Sequence, residues 1–158
     1  MSSAHDDSVR IRAASLEDES LLVKCAKRLT TFELPPWRTP DSIATADARE
    51  MMASVRAGSP DNEVFVAERA GTPVGCLHVL GDTDFFGIRH AHISVIATTE
   101  AAEGTGVGRA LLEHAEAWSR HRGYALLTLN VFADNDRARR FYERAGMAAE
   151  MMKYAKPL

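Results

Sequence analysis

From Val9 to Ala13 the chain alternates apolar Val9, Ile11 and Ala13 with Arg10 and Arg12, the period of a half-buried strand. Ser15 then reads as a helix N-cap with Asp18 following, and Glu17 and Glu19 put carboxylates at the positive end of the helix dipole. That helix is expected to turn Leu16, Leu22, Ala26 and Leu29 inward. Pro35-Pro36 cannot lie inside a helix, so Phe32 to Pro40 is a loop. A second helix is expected from about Asp41 to Arg56, with Ile43, Ala44, Ala48, Met51, Met52 and Val55 as its apolar positions.

Gly58-Ser59-Pro60-Asp61-Asn62 is a turn by composition. Val64 to Glu68 and Val74 to Leu80 read as two strands joined by a glycine-bearing hairpin loop at Ala70-Gly71-Thr72-Pro73. Gly75, inside the second of them, implies a bulge or a close backbone approach. Ala91 to Thr98 is a further strand, rich in β-branched residues. From Val107 the period becomes helical (Val107, Leu111, Leu112, Ala115, Trp118), and Gly123 stops that helix. Ala125 to Val131 is apolar enough for a strand buried on both faces. Ala138, Phe141, Tyr142 and Ala145 mark a short helix ended by Gly146, and Met147 to Tyr154 could supply a last strand. Helices interspersed with strands, one pair of them antiparallel, imply a mixed sheet covered by helices.

Composition narrows the setting more than the chemistry. A length of 158 residues suits one domain, 46% hydrophobic and 26% charged content are ordinary for a soluble protein, and no repeat is visible. A net charge of −3 provides no general attraction to nucleic acid or an anionic membrane surface. No apolar run nears the roughly 20 residues of a membrane helix. Met1 to Ser8 is polar, contains Asp6 and Asp7, and reads as a flexible N-terminal tail rather than a secretory signal. Cys25 and Cys76 read as two buried free thiols, so the expected location is cytoplasmic.

The most informative segment is Thr98 to Leu112: a strand end, a turn with glycines at 104, 106 and 108, then a helix. Glycines let the backbone approach a ligand, and the free amides and dipole at a helix start attract an anion such as a pyrophosphate. The same turn could also serve merely as a connection. A dinucleotide fingerprint fails, because its third glycine would fall on Arg109 or Leu111; a nucleoside-triphosphate loop fails for want of Gly-Lys-Ser/Thr.

Glu103-Gly104-Thr105-Gly106-Val107-Gly108-Arg109-Ala110-Leu111-Leu112 resembles the central motif of the GNAT acetyltransferase superfamily, Arg/Gln-x-x-Gly-x-Gly/Ala before an apolar helix. A second block, Asn135-Asp136-Arg137-Ala138-Arg139-Arg140-Phe141-Tyr142-Glu143-Arg144-Ala145-Gly146-Met147, resembles the family's other signature. The resemblance covers roughly residues 64 to 154, with residues 9 to 56 fitting the family's β-α-α opening less specifically. It implies an α+β fold with three layers (α/β/α): a mixed, mostly antiparallel central sheet of about six to seven strands flanked by about four helices. Residues 9–158 would be a single acetyltransferase domain behind a tail at 1–8. The chain departs from the pattern at Glu103, a carboxylate beside the expected phosphates that Arg109 could offset.

The implied activity is acetyl transfer from acetyl-CoA to a primary amine of a small molecule or protein, directly and in a ternary complex, with no metal. The turn Gly104, Thr105, Gly106, Val107 and Gly108, with Arg109, would bind the pyrophosphate, and a backbone N–H near Ala97 or Thr98 would hold the thioester carbonyl. The strand ending at Thr98 would splay from the 125–131 strand to admit the pantetheine arm. Tyr142 matches the family's tyrosine facing the sulfur and would act as general acid, although it could also be plain core. Asn135 would bond the cofactor, cap the last helix, or both. For the base, the strand alternation sets His92 on one face with His90 and Ser94; His92 is one candidate and Glu33 the other. Arg137, Arg139 and Arg140 could touch the cofactor's ribose phosphate or form a solvated face, and Phe85-Phe86 could line an acceptor pocket or fill the core. An exposed sheet edge could support a homodimer. A non-catalytic acyl-CoA-binding sensor is the competing reading.

Overall fold

The computed structural model describes residues 8–158. The tail expected at residues 1–8 lies outside the described residues except for Ser8. Five strands form one sheet in sequence order among the described residues: β1 (Val9–Ala13), β2 (Asn62–Arg69), β3 (Thr72–Thr83), β4 (Arg89–Thr98) and β5 (Leu127–Leu129). The first three junctions are antiparallel, and β5 joins β4 in parallel. Helices α1 (Glu19–Arg28) and α2 (Pro40–Ala57) cover one face, α3 (Val107–His121) covers the other, and α4 (Asp136–Arg144) follows β5. The result is the expected three-layer α+β arrangement, with a narrower sheet.

Each face owns a core. Leu22, Cys25, Ala26, Met51 and Met52 pack on Val64, Cys76, Val95 and Ala97 under α1 and α2. Val107, Leu111, Leu112, Ala115 and Trp118 of α3 pack on Phe65, Leu77, Val79 and Ile93. Both cysteines are buried and free. Between the first layer and the sheet, His78 Nε2–H donates to Asn62 Oδ1 (2.7 Å) and lies 3.0 Å from Ser54 Oγ. Burial pushes His78 down to about 4, so the ring is neutral in the core.

The N-terminal helix begins later than its cap signal implies. Ser15 opens a 3₁₀ turn, Leu16–Asp18, and Asp18 accepts from the Ser15 amide (2.8 Å) while two nitrogens of Arg12 clamp it. Leu16 is therefore on the outside, 56% exposed, whereas Leu22 and Ala26 point inward as expected. In α2, Thr39 caps Ser42 N (3.3 Å), Pro40 is the first residue, and Gly58 ends the helix at φ 61°.

The hairpin turn is Ala70-Gly71, both with positive φ, matching the right-handed strand twist. Gly75 fulfils both of its expected roles. Pairing skips Val74 there, and a Cβ on Gly75 would lie 2.9 Å from the Ala97 carbonyl and close to Val107 and Leu111.

Two expectations fail at the other end of the sheet. Residues 147–154 form no strand, and Met151, Met152 and Tyr154 are exposed. Met147, Ala148, Ala149, Met151 and Met152 do not alternate, so no single sheet face could take them up. The apolar run 125–131 yields only a three-residue strand, half-buried, with Leu126 42% exposed. Among the described residues nothing pairs with its outer edge, which leaves it a sheet margin rather than a central strand.

Candidate active site

β4 is longer than its parallel partner. Pairing with β5 covers only Ala91↔Leu127, His92↔Thr128 and Ile93↔Leu129, whereas β4 runs on to Thr98. Among the described residues nothing pairs with residues 94–98 on that side, so the edge is open where a splay was expected. Thr99 N donates to Val74 O (2.8 Å), and the Ala97 carbonyl lies against Gly75. By strand alternation Ala97 turns its amide toward β3, and Thr98 turns its amide to the open edge.

Beyond Thr98 a 3₁₀ turn, Glu100–Ala102, leads into the glycines. Gly104 (φ 71°) and Gly106 (φ 88°) adopt left-handed backbone, which only glycine takes without strain. Thr105 N is spent on Ala102 O, and Ala110 N on Gly106 O. The amides of Gly104, Gly106, Val107, Gly108 and Arg109 have no acceptor among the described residues. Gly104, Thr105 and Gly106 are exposed. Such a donor set, at the positive end of a 15-residue helix, fits a diphosphate.

Sequence reasoning missed two side chains here. Arg69 Nη2 donates to the Thr105 carbonyl (2.9 Å), drawing that oxygen aside. Arg28, from the last turn of α1, binds Glu103, which also bonds Arg137 of α4. No local pattern marks either arginine, because each acts on a turn far away in sequence. Arg109, expected to offset Glu103, bonds Glu113 one helical turn on instead (2.9 Å). Arg139 pairs with Asp136 within α4.

Asn135 caps α4 by accepting from Ala138 N (3.1 Å). Phe141 lies over the α3 start, 3.7 Å from where a Gly108 Cβ would be. Tyr142, beside it, packs half-buried on the α3 core, and desolvation pushes its phenol up to about 12. No hydrogen-bond partner for its hydroxyl occurs among the described residues.

His92 joins β4 to β5. Its Nδ1 is 2.8 Å from Thr128 Oγ1, whose own proton goes to the Ala91 carbonyl (3.4 Å). That chain assigns the proton to His92 Nδ1 and the lone pair to Nε2, which has no partner among the described residues. Burial, then the neighbouring His90, lower the His92 pKa, while Asp82 raises it. The β4 register shifts opposite His78/Val79, so that Ser94 is the residue left without a partner on β3. This bulge breaks the alternation on which a shared face for His92 and Ser94 was expected. Glu33 is exposed in the loop after α1, and nearby Phe32 meets Phe132 just beyond β5 in a tilted ring contact (centroids 5.6 Å apart), so that loop reaches the end of β5. Phe85 and Phe86 are exposed at a hairpin tip and fill no core. Among the described residues no cluster of three or more His, Cys, Asp or Glu side chains could hold a metal, and no helix is long and apolar enough to cross a membrane.

Residues 26–147 match the Acetyltransferase (GNAT) family. The chain belongs to that family. It is 35% identical over 95 residues to a 5-NmdU N-acetyltransferase of Pseudomonas phage PaMx11, a match covering 54% of this chain and 66% of the phage protein. It is 45% identical over 60 residues to a mycothiol acetyltransferase of Jonesia denitrificans, covering 38% of this chain but 19% of that protein. The chain thus matches less than two thirds of either relative. Aminoglycoside N-acetyltransferase AAC(6′)-Iy, solved in complex with CoA, shares the fold at TM-score 0.70 and 15% identity over 99% of both chains.

Proposed function

We propose that this chain is an acetyl-CoA-dependent N-acetyltransferase acting on a primary amine of a small molecule or protein, by direct transfer in a ternary complex. The observation that carries the reading is the run of uncommitted amides at Gly104, Gly106, Val107, Gly108 and Arg109, next to the strand edge left open where β4 runs on beyond its pairing with β5. Family membership and a fold shared with a protein solved with CoA support it. Residues 9–158 then act as one catalytic domain in the cytoplasm.

Acetyl-CoA, when bound, supplies an acetyl group activated as a thioester. The amides of the turn and the α3 dipole hold the diphosphate. Thr98 N–H, on the open edge, is our assignment for the donor to the thioester carbonyl oxygen; one such donor contributes about 3 to 4 kcal/mol. An acceptor amine with a lysine-like pKa of about 10.4 costs roughly 4 to 5 kcal/mol to neutralise at pH 7. His92 Nε2, or a water bound to it, takes the amine proton; Glu33 is the alternative base. Tyr142 Oη, held protonated by burial, gives its proton to the leaving sulfur.

The test is release of free thiol from acetyl-CoA over an amine panel including aminoglycosides, nucleoside amines, amino sugars and peptide N-termini. We expect turnover with at least one class. CoA binding without thiol release on any of them would point to an acyl-CoA sensor instead.

A further inference from the structure

Glu103 stands directly before the glycine turn, where a carboxylate repels any anion seated on the amides. Its two oxygens are nevertheless taken by guanidiniums from distant parts of the chain. Arg28 Nη2, from the end of α1, bonds Oε2, and Arg137 Nη1, from the start of α4, bonds Oε1. These helices belong to different parts of the fold, and they converge on this one side chain. Arg28 is drawn well in, 23% exposed, and its Nε is buried with no partner. An unsatisfied buried donor on a charged group is costly, and a single carboxylate oxygen does not relieve it. Two cations against one anion leave the cluster net positive, at the edge of a turn already rich in free amides.

We propose that Arg28 and Arg137 are phosphate-binding residues of the cofactor site, paired before cofactor binds with Glu103, a carboxylate against which the cofactor's phosphates compete. The inference rests on the acetyl-CoA reading above. A guanidinium takes phosphate oxygens with the same forked geometry that it offers a carboxylate, so exchange of one for the other requires little movement. Arg28 thereby links the α1 layer to cofactor binding.

The experiment is calorimetric titration of the full-length chain with CoA and with dephospho-CoA, at low and high salt, with thermal midpoints recorded alongside. Arg28→Gln and Arg137→Gln should each weaken CoA binding at least ~5-fold and flatten its salt dependence. Glu103→Gln should tighten it ~3-fold or more at low salt, since the competing charge is gone. If Arg137 faces the ribose phosphate, its variant will lose affinity for CoA but not for dephospho-CoA; equal losses place both arginines on the diphosphate, and either result supports the proposal. Opposite signs for Glu103→Gln and Arg28→Gln are the signature, because loss of a merely structural ion pair would move both variants the same way. Should Arg28→Gln fail to fold, Arg28→Lys keeps the charge, loses the fork and should bind with intermediate affinity. Unchanged or same-sign affinities, with wild-type binding intact, overturn this inference alone; a wild type that does not bind CoA overturns the acetyl-CoA reading with it.

Discussion

A phenol in water loses its proton near pH 10, but burial against the α3 core holds Tyr142 to about 12. It therefore remains a donor throughout any practical assay range, and no loss of rate on its account is expected below about pH 10. Tyr142→Phe should bind CoA like wild type and turn over at least ~10-fold slower in steady-state thiol release. An unchanged rate removes Tyr142 from the mechanism. The same assay separates the two bases. His92 must be neutral to accept a proton, and its lowered pKa keeps it so at pH 7. Rate should then fall only as pH drops below the ordinary histidine value near 6.5, and His92→Gln should abolish that acid limb. If His92→Gln keeps its turnover and Glu33→Gln loses it, Glu33 is the base. Tyr142 and Asn135 were legible because they sit in a motif frame; the Thr128 hydroxyl that selects the His92 tautomer was not, since it comes from another strand.

At the scale of elements, the two cores explain why some patterns translated directly and others did not. The helical spacing of Val107, Leu111, Leu112, Ala115 and Trp118 became α3 because one face of the sheet buries all five. The 125–131 run had enough apolar residues for a central strand, yet it lies at the margin, and only three residues pair. Apolar content reports that a strand is wanted, not how many neighbours it has. At Gly75 the β3 backbone lies close to both β4 and α3. Gly75→Ala would drive a methyl to within 2.9 Å of the Ala97 carbonyl, with Val107 and Leu111 just beyond. Overpacking of this kind costs about 1 to 3 kcal/mol, so the urea midpoint should drop clearly. The variant should also weaken CoA binding, because Ala97 and Val107 flank the open strand edge and the amide turn. A neutral midpoint would show that β4 yields more easily than the packing implies.

Over the whole molecule, stability should depend on pH through a histidine ring buried in the core. His78 is 3% exposed and falls to about 4 in the fold, against an ordinary value near 6.5. Between these values the unfolded chain binds the proton and the folded chain does not, so stability declines as pH falls through that window. The full contribution is at most about 3 kcal/mol. His78→Gln should flatten the fall in urea midpoint between pH 7 and pH 4.5 relative to wild type, and parallel slopes would contradict this account. His92 and His114 are also lowered by burial and add to the wild-type slope, which is why the comparison is with the variant. By itself the sequence determined the features carried by neighbours in the chain: the order of helices and strands, the alternate glycines, the capping Asn135 and the motif frame around Tyr142. Only the tertiary structure decided where the β4–β5 pairing ends, which edge Thr98 faces, and that Arg28, Glu103 and Arg137 meet at the turn. Those facts depend on groups dozens of residues apart, whose encounter is set by packing on two faces of one sheet, and no local period records it.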